Sequence, residues 1–116
     1  MCRPVRTTGI IFATLGALWG SPVIAASPDI PAARRHQLMS LLDQDCGSCH
    51  GLTRQGGLGP ALTKQALAGK SPIILRETIL NGRPGTPMPP WKPFLSQPEA
   101  DWLVQVLQEG KTDEKH

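Results

Sequence analysis

Residues 46–50 read Cys46-Gly47-Ser48-Cys49-His50, two thiols separated by two small residues and followed at once by an imidazole. This spacing is typical of covalent haem attachment, in which each sulfur adds to one vinyl group and the histidine binds the iron. We therefore predict one haem c held through Cys46 and Cys49, with His50 as an axial ligand of the iron.

Two other kinds of site use the same cysteine spacing, and the surrounding sequence favours neither. A thioredoxin-like redox pair belongs beside a strand–helix–strand pattern, whereas the residues before Cys46 read as a helix. A structural zinc site requires four ligands, and no second cysteine pair or paired histidine follows the motif. Haem attachment is therefore the favoured interpretation.

The N-terminal residues are typical of an export signal. Arg3 and Arg6 precede a mostly apolar run over residues 9–19, and Val23-Ile24-Ala25 suits a signal peptidase. The run is broken by glycine and proline and is shorter than the roughly 20 residues that span a bilayer. We predict a cleaved signal peptide over residues 1–25, no stable membrane anchor and a periplasmic product. An uncleaved anchor is the alternative.

Removal of this leader changes the charge balance. The full sequence has 12 Lys and Arg against 9 Asp and Glu, so losing Arg3 and Arg6 leaves ten against nine. A net charge of +1 on the mature chain gives no support to nucleic-acid binding. Haem attachment would use both remaining thiols, Cys46 and Cys49, so no disulfide is expected.

Helical periodicity dominates the single domain predicted for residues 32–110. An amphipathic pattern leads into the haem motif. Ser71-Pro72 reads as an N-cap followed by proline in the first turn, and Ser96 and Glu99 have the spacing of a capping box. Residues 26–31 form a short entry segment and residues 111–116 a polar tail. The predicted helices cover residues 32–45, 63–68, 72–81 and about 96–110.

Two irregular segments separate these helices. Glycines recur over residues 51–59, where the chain has to turn closely past a flat cofactor. Between residues 83 and 93, five prolines in eleven residues exclude a helix and stiffen the loop that contains Met88. A domain this small buries only about 60% of its unfolded surface. We therefore expect folding to depend on haem attachment.

A haem iron that only transfers electrons has two strong axial ligands, and the second has to be chosen from Met39, Met88, His36 and His116. Met39 is expected to pack within the first helix, His36 to be exposed on it, and His116 to lie in the tail. The flanking prolines argue against an ordinary core position for Met88. We predict Met88 as the second ligand and a comparatively high reduction potential.

Together these features resemble a class I cytochrome c over most of the mature domain. The resemblance is carried by the haem motif, the run Gly59-Pro60-Ala61-Leu62, the Asn81-Gly82 turn, the methionine loop and the last helix. It implies an all-α fold of three main helices plus a short one, wrapped around one covalently bound haem. In that fold the first and last helices cross at one edge of the haem.

Three runs, at residues 44–52, 56–62 and 82–91, are similar to a narrower group. They resemble the small periplasmic cytochrome c encoded beside the cytochrome cd nitrite reductase of denitrifying bacteria. This resemblance implies a monomeric electron carrier, not an enzyme, that delivers electrons to nitrite reductase. It also leaves open a redox or assembly role in maturation of the reductase's haem. A gas sensor or small peroxidase with an open sixth position is a further alternative.

Other residues are candidates for contacts around the haem. In the family, the carbonyl at the position of Pro60 accepts a hydrogen bond from the proximal imidazole; a simple turn proline is the alternative. Trp91 and Arg83 are candidates for binding a propionate, against ordinary packing or exposure. Trp102 is expected in the core at the helix crossing. A docking rim for redox partners is the candidate role of Lys64, Lys70, Lys92 and Arg54.

Overall fold

Two long loops, residues 51–63 and 82–96, separate the helices that build the domain. The computed structural model describes residues 29–111 and, within that range, contains helices and loops but no strand. The predicted leader at residues 1–25 lies outside the described residues, as do residues 112–116. The helices are α1 (Ala32–Leu41), α2 (Gly47–His50), α3 (Lys64–Leu67), α4 (Pro72–Asn81) and α5 (Gln97–Glu109), with a π-helical turn at Leu42–Cys46 between α1 and α2.

The first helical segment extends further than the sequence predicted. We expected it to end near Asp45, but helical backbone continues through the π-helical turn and α2 as far as His50. It ends because Gly51 adopts a φ of +87°. Glycine and serine are weak helix formers, so local propensity did not indicate α2. The haem motif therefore lies on the last turns of a helix, and π-helical turns occur frequently at functional sites.

The two middle helices begin as the sequence predicted, with one difference. At the start of α3 the hydroxyl of Thr63 accepts a hydrogen bond from the backbone N–H of Ala66 at 3.2 Å. Ser71 occupies the N-cap position of α4, but its side chain makes no capping hydrogen bond. Pro72 has no N–H and already has the φ of a first-turn residue, so one fewer backbone donor lacks a partner at this end.

The last helix has both of the end signals found in the sequence. Ser96 and Glu99 form a capping box, in which the backbone N–H of Ser96 donates to Glu99 Oε2 at 2.7 Å. Gly110 closes the helix with a left-handed φ of +71°. These short-range interactions fix the start and the end of α5 independently of its packing.

The first and last helices are in contact, as the resemblance implied, and α5 also packs against α4. Leu38 and Met39 of α1 pack with Leu103 and Val106 of α5, all of them buried. Burying each such side chain contributes on the order of 1.5–3 kcal/mol. Trp102, expected in the core, is only half-buried at its edge. None of the helices described is long and apolar enough to cross a membrane.

Candidate haem-binding site

The imidazole of His50 is held by the glycine-rich loop that follows it. Its Nδ1 lies 2.7 Å from the carbonyl oxygen of Pro60, the residue that the family resemblance pointed to. A carbonyl can only accept, so this contact requires the proton on Nδ1. The lone pair is then on Nε2, which has no hydrogen-bond partner within residues 29–111. His50 is therefore oriented as a histidine ligand of a metal is oriented by its neighbours.

The loop approaches the motif closely enough to exclude side chains. The backbone N–H of Gly59 donates to Cys49 O at 2.8 Å, and that of Gly56 donates to His50 O at 2.8 Å. A Cβ atom on Gly59 would lie 2.7 Å from both Cε1 and Nδ1 of His50. The recurrence of glycine here thus has a steric cause at Gly59, where the backbone packs on the imidazole ring.

The two thiols lie on the same helical segment and differ in their surroundings. Cys46 and Cys49 are free and half-buried. Cys46 packs against the hydrophobic core. Burial, with a smaller contribution from the nearby Asp45 carboxylate, raises the pKa of the Cys46 thiol to about 11. In the chain without haem this thiol is therefore protonated near neutral pH.

Backbone hydrogen bonds join the loop that contains Met88 to the C-terminal end of α4. The backbone N–H of Trp91 donates to Ile79 O at 3.1 Å, and that of Lys92 donates to Leu80 O at 3.0 Å. Each of these bonds ties the loop to a helix carbonyl that has no further partner within α4. The proline-rich segment is thus held against the helix at its far end.

Backbone contacts also fix the loop at Met88 itself. The N–H of Arg83 donates to Met88 O at 3.2 Å, and the N–H of Met88 lies 3.4 Å from the hydroxyl of Thr86. Gly82 turns with a φ of +66°, and a Cβ there would lie 2.7 Å from Met88 O. The Met88 side chain is half-buried.

The other candidates for the second axial ligand are less well placed. Met39 is 4% exposed within the core, and His36 is exposed on α1; both placements agree with the sequence analysis. His116 lies outside the described residues. Among the candidates in the described part of the chain, Met88 alone lies in a loop and outside the buried core.

The side chains of Trp91 and Arg83 form no hydrogen bond or ion pair with the motif in the part of the chain that is described. Trp91 is half-buried, and its ring packs edge-on against that of Phe94, with 6.0 Å between centroids. Arg83 is exposed and forms no ion pair within residues 29–111. The propionate contacts suggested for these two residues therefore remain predictions.

Arg54, one of the four candidates for the docking rim, forms an ion pair within the chain. The Arg54 side chain is only 13% exposed, and its Nη2 lies 3.0 Å from Asp43 Oδ1. Lys64, Lys70 and Lys92 are exposed and form no ion pair within the part of the chain that is described. The ion pair holds the Arg54 guanidinium against the chain, and the docking rim remains a prediction for all four residues.

The residues present fit a haem group. They supply two thiols on one helical segment, an imidazole with Nε2 free and a thioether in a fixed loop. Large apolar side chains are exposed on the chain, with Leu58 at 75%, Ile73 at 60% and Ile74 at 66%. Covering such surface contributes about 25 cal/mol per Å². Within residues 29–111 no group of three His, Cys, Asp or Glu side chains could hold a metal ion by itself.

Comparison with known proteins identifies the same class. Residues 33–106 match the family described as cytochrome c oxidase, cbb3-type, subunit III. The chain is 51% identical over 102 residues to cytochrome c55X of Pseudomonas aeruginosa. The matched region covers 87% of this chain and 86% of that protein. The resemblance stated from the sequence is confirmed, for the class and for the subgroup.

Two solved structures share the fold. The c-type cytochrome NirC is 58% identical, with a TM-score of 0.70 over 71% of this chain and 96% of that chain. The dihydro-haem d1 dehydrogenase NirN is 39% identical, with a TM-score of 0.57 over 66% of this chain. The match spans only 16% of the dehydrogenase.

Proposed function

Since the chain belongs to the c-type cytochromes, within the family of cytochrome c55X, and binds haem c covalently, we propose that it is a periplasmic one-electron carrier with His50 and Met88 as iron ligands. The observation that supports this most strongly is the hydrogen bond between His50 Nδ1 and Pro60 O at 2.7 Å. It leaves Nε2 free to bind a metal. The periplasmic location rests on the leader predicted at residues 1–25.

The haem iron of a c-type cytochrome takes up and releases one electron between its ferric and ferrous states. The residues of this chain adjust that exchange. The Pro60 carbonyl orients His50 and makes its imidazole a better donor, which favours ferric iron. The Met88 thioether is soft and neutral and favours ferrous iron. With His50 and Met88 both holding the iron, external molecules would have no open position on it, and we propose that the chain is a carrier and not an enzyme.

The exposed charges suggest the chemistry of the partner. Within residues 29–111, four cations form no ion pair, and Asp45 is the one carboxylate without one. These unpaired cations would favour acidic groups on a partner, in an encounter that weakens as salt is added, while the two haem propionates offset the overall positive excess. The four cations are Lys64, Lys70, Arg83 and Lys92. The proposed electron acceptor is the cytochrome cd nitrite reductase, as the sequence resemblance implies.

The similarity to a dehydrogenase supports a second candidate function. A segment of dihydro-haem d1 dehydrogenase has the fold of this chain at 39% identity. A cytochrome of this type can therefore operate beside an enzyme that oxidises a haem precursor. We propose, as the second candidate, that the chain exchanges electrons with such a maturation enzyme instead of with the finished reductase.

One set of measurements separates these candidates. The reduced holoprotein is mixed in a stopped-flow instrument with nitrite reductase, and the oxidised holoprotein with the dehydrogenase and its substrate. Rapid oxidation by the reductase supports the first candidate, and rapid reduction by the dehydrogenase supports the second. Rapid binding of carbon monoxide to the ferrous protein without denaturant would instead favour the sensor or peroxidase and would contradict ligation by Met88.

A further inference from the structure

Arg54 has an unusual backbone conformation for its residue type. Its φ is +62°, and no other non-glycine residue within residues 29–111 has a positive φ. A side chain in this left-handed region is strained relative to glycine. The same loop uses glycine at two other positive-φ positions, Gly51 and Gly56. The arginine side chain must therefore make interactions that offset the strain.

The side chain of Arg54 joins two distant segments. Its Nη2 lies 3.0 Å from Asp43 Oδ1, in the π-helical turn that precedes Cys46. Its Nη1 donates to Lys111 O at 3.4 Å, just beyond the end of α5. Only 13% of the side chain is exposed. Since 45% of the Asp43 side chain is exposed, the pair is shielded from water on the arginine side only, and solvent weakens it in part.

The backbone of Arg54 joins both ends of the glycine-rich loop. Its N–H donates to Gly51 O at 2.8 Å, and its carbonyl accepts from Leu62 N at 2.8 Å. Gly51 follows His50 directly, and Leu62 is two residues beyond Pro60. The residue thus fixes the loop on each side of the carbonyl that contacts the His50 ring.

We propose that Arg54, through its pair with Asp43, is a positioning residue that holds the Pro60 carbonyl against His50 and so sets the donor strength of that imidazole. The proposal rests on the proposed function, since it takes His50 to be the iron ligand. Loss of the pair lets the loop move, the bond from Nδ1–H to Pro60 O opens more often, and the imidazole becomes a poorer donor. Ferric iron is then less favoured, and the reduction potential rises.

A pair of double variants tests this without changing net charge. Arg54→Gln with Asp43→Asn removes the proposed positioning pair. Arg76→Gln with Asp101→Asn is the matched control, because Arg76 is 17% exposed and its Nη1 lies 3.3 Å from Asp101, between α4 and α5. Both variants lose one ion pair between segments, and the control also loses the pair of Arg76 with Glu77 inside α4. Only the first variant touches the glycine-rich loop.

The readout is the exchange rate of the His50 Nδ1 proton, measured by NMR on the ferrous holoprotein, together with the reduction potential. We expect exchange roughly tenfold faster and a higher potential in the Arg54/Asp43 variant, in line with the loss of one hydrogen bond. The control should fall in melting temperature while keeping both values. Equal exchange in the Arg54/Asp43 variant and the wild type, or the same change in both variants, would overturn the proposal.

If the double variant does not accumulate as a folded protein, a single variant still tests the proposal. Arg54→Gly keeps a residue that tolerates positive φ and removes the guanidinium, and its His50 proton should also exchange faster; an unchanged rate would count against the proposal. The wild-type spectrum tests the proposed function separately. If the ring protons of His50 lack the shifts of an iron-bound imidazole, the ligand assignment fails whatever the Arg54 variants show.

Discussion

Replacing Gly59 by alanine should damage the site more than its size suggests. The new Cβ would lie 2.7 Å from Cε1 and Nδ1 of His50, whereas ordinary carbon contacts begin near about 3.5 Å. The ring or the loop must therefore move by several tenths of an ångström. Either movement stretches the hydrogen bond between His50 Nδ1 and Pro60 O, which is 2.7 Å long.

The expected loss of stability has two parts. Overpacking of a methyl group costs about 1–3 kcal/mol, and weakening a hydrogen bond costs about 0.5–1.5 kcal/mol. We expect a total of about 2–4 kcal/mol for Gly59→Ala. Denaturant unfolding of the ferric holoprotein, followed by the Soret absorbance, measures it. The reduction potential should rise in the same variant, because His50 becomes a poorer donor.

Gly69→Ala is the matched control for this prediction. Gly69 has a φ of +72° and nothing within 4 Å of an added Cβ. Its replacement should cost only the backbone strain, about 1 kcal/mol, and leave the potential unchanged. If Gly59→Ala is no less stable than Gly69→Ala and keeps the wild-type potential, then the close packing of the loop on the imidazole does not matter as we argue.

Three further outcomes are expected. Met88→Ala should abolish the near-infrared thioether-to-iron charge-transfer band and admit carbon monoxide; an unchanged band would remove Met88 as a ligand. The Cys46→Ala/Cys49→Ala chain should show no cooperative melt by circular dichroism, and a native-like melt would refute dependence of folding on haem. The hydrogen bond from Arg34 is the main cause that lowers the pKa of Glu99 to about 2. This pair therefore stabilises the fold fully above about pH 4.5 and loses that contribution between about pH 4.5 and pH 2. Its size is about 1 kcal/mol, since Arg34 is one-third exposed, and urea midpoints of Glu99→Gln should lack this pH dependence.

Interactions between near neighbours were predictable from the sequence. The capping box of Ser96 and Glu99, the proline at the start of α4 and the glycine that closes α5 each depend on residues within one helical turn. The haem motif was predictable for the same reason, since its chemistry is contained in five consecutive residues. The Pro60 contact with His50 followed from the family resemblance and not from periodicity.

Features that depend on packing were not predictable. The helix continues to His50 although Gly47 and Ser48 have weak helix propensity, because tertiary contacts around the π-helical turn outweigh local preference. The pairing of Arg54 with Asp43 joins residues eleven positions apart across a loop. Nothing in the local sequence distinguishes this arginine from a solvated one, so the ion pair was not predicted.

Mass spectrometry of the exported protein tests the central claim most directly. One haem joined by two thioether bonds predicts a mature chain heavier by one intact haem, with neither Cys46 nor Cys49 reacting with a thiol reagent after denaturation. A chain of unmodified mass, with both cysteines alkylated in full, would contradict the account.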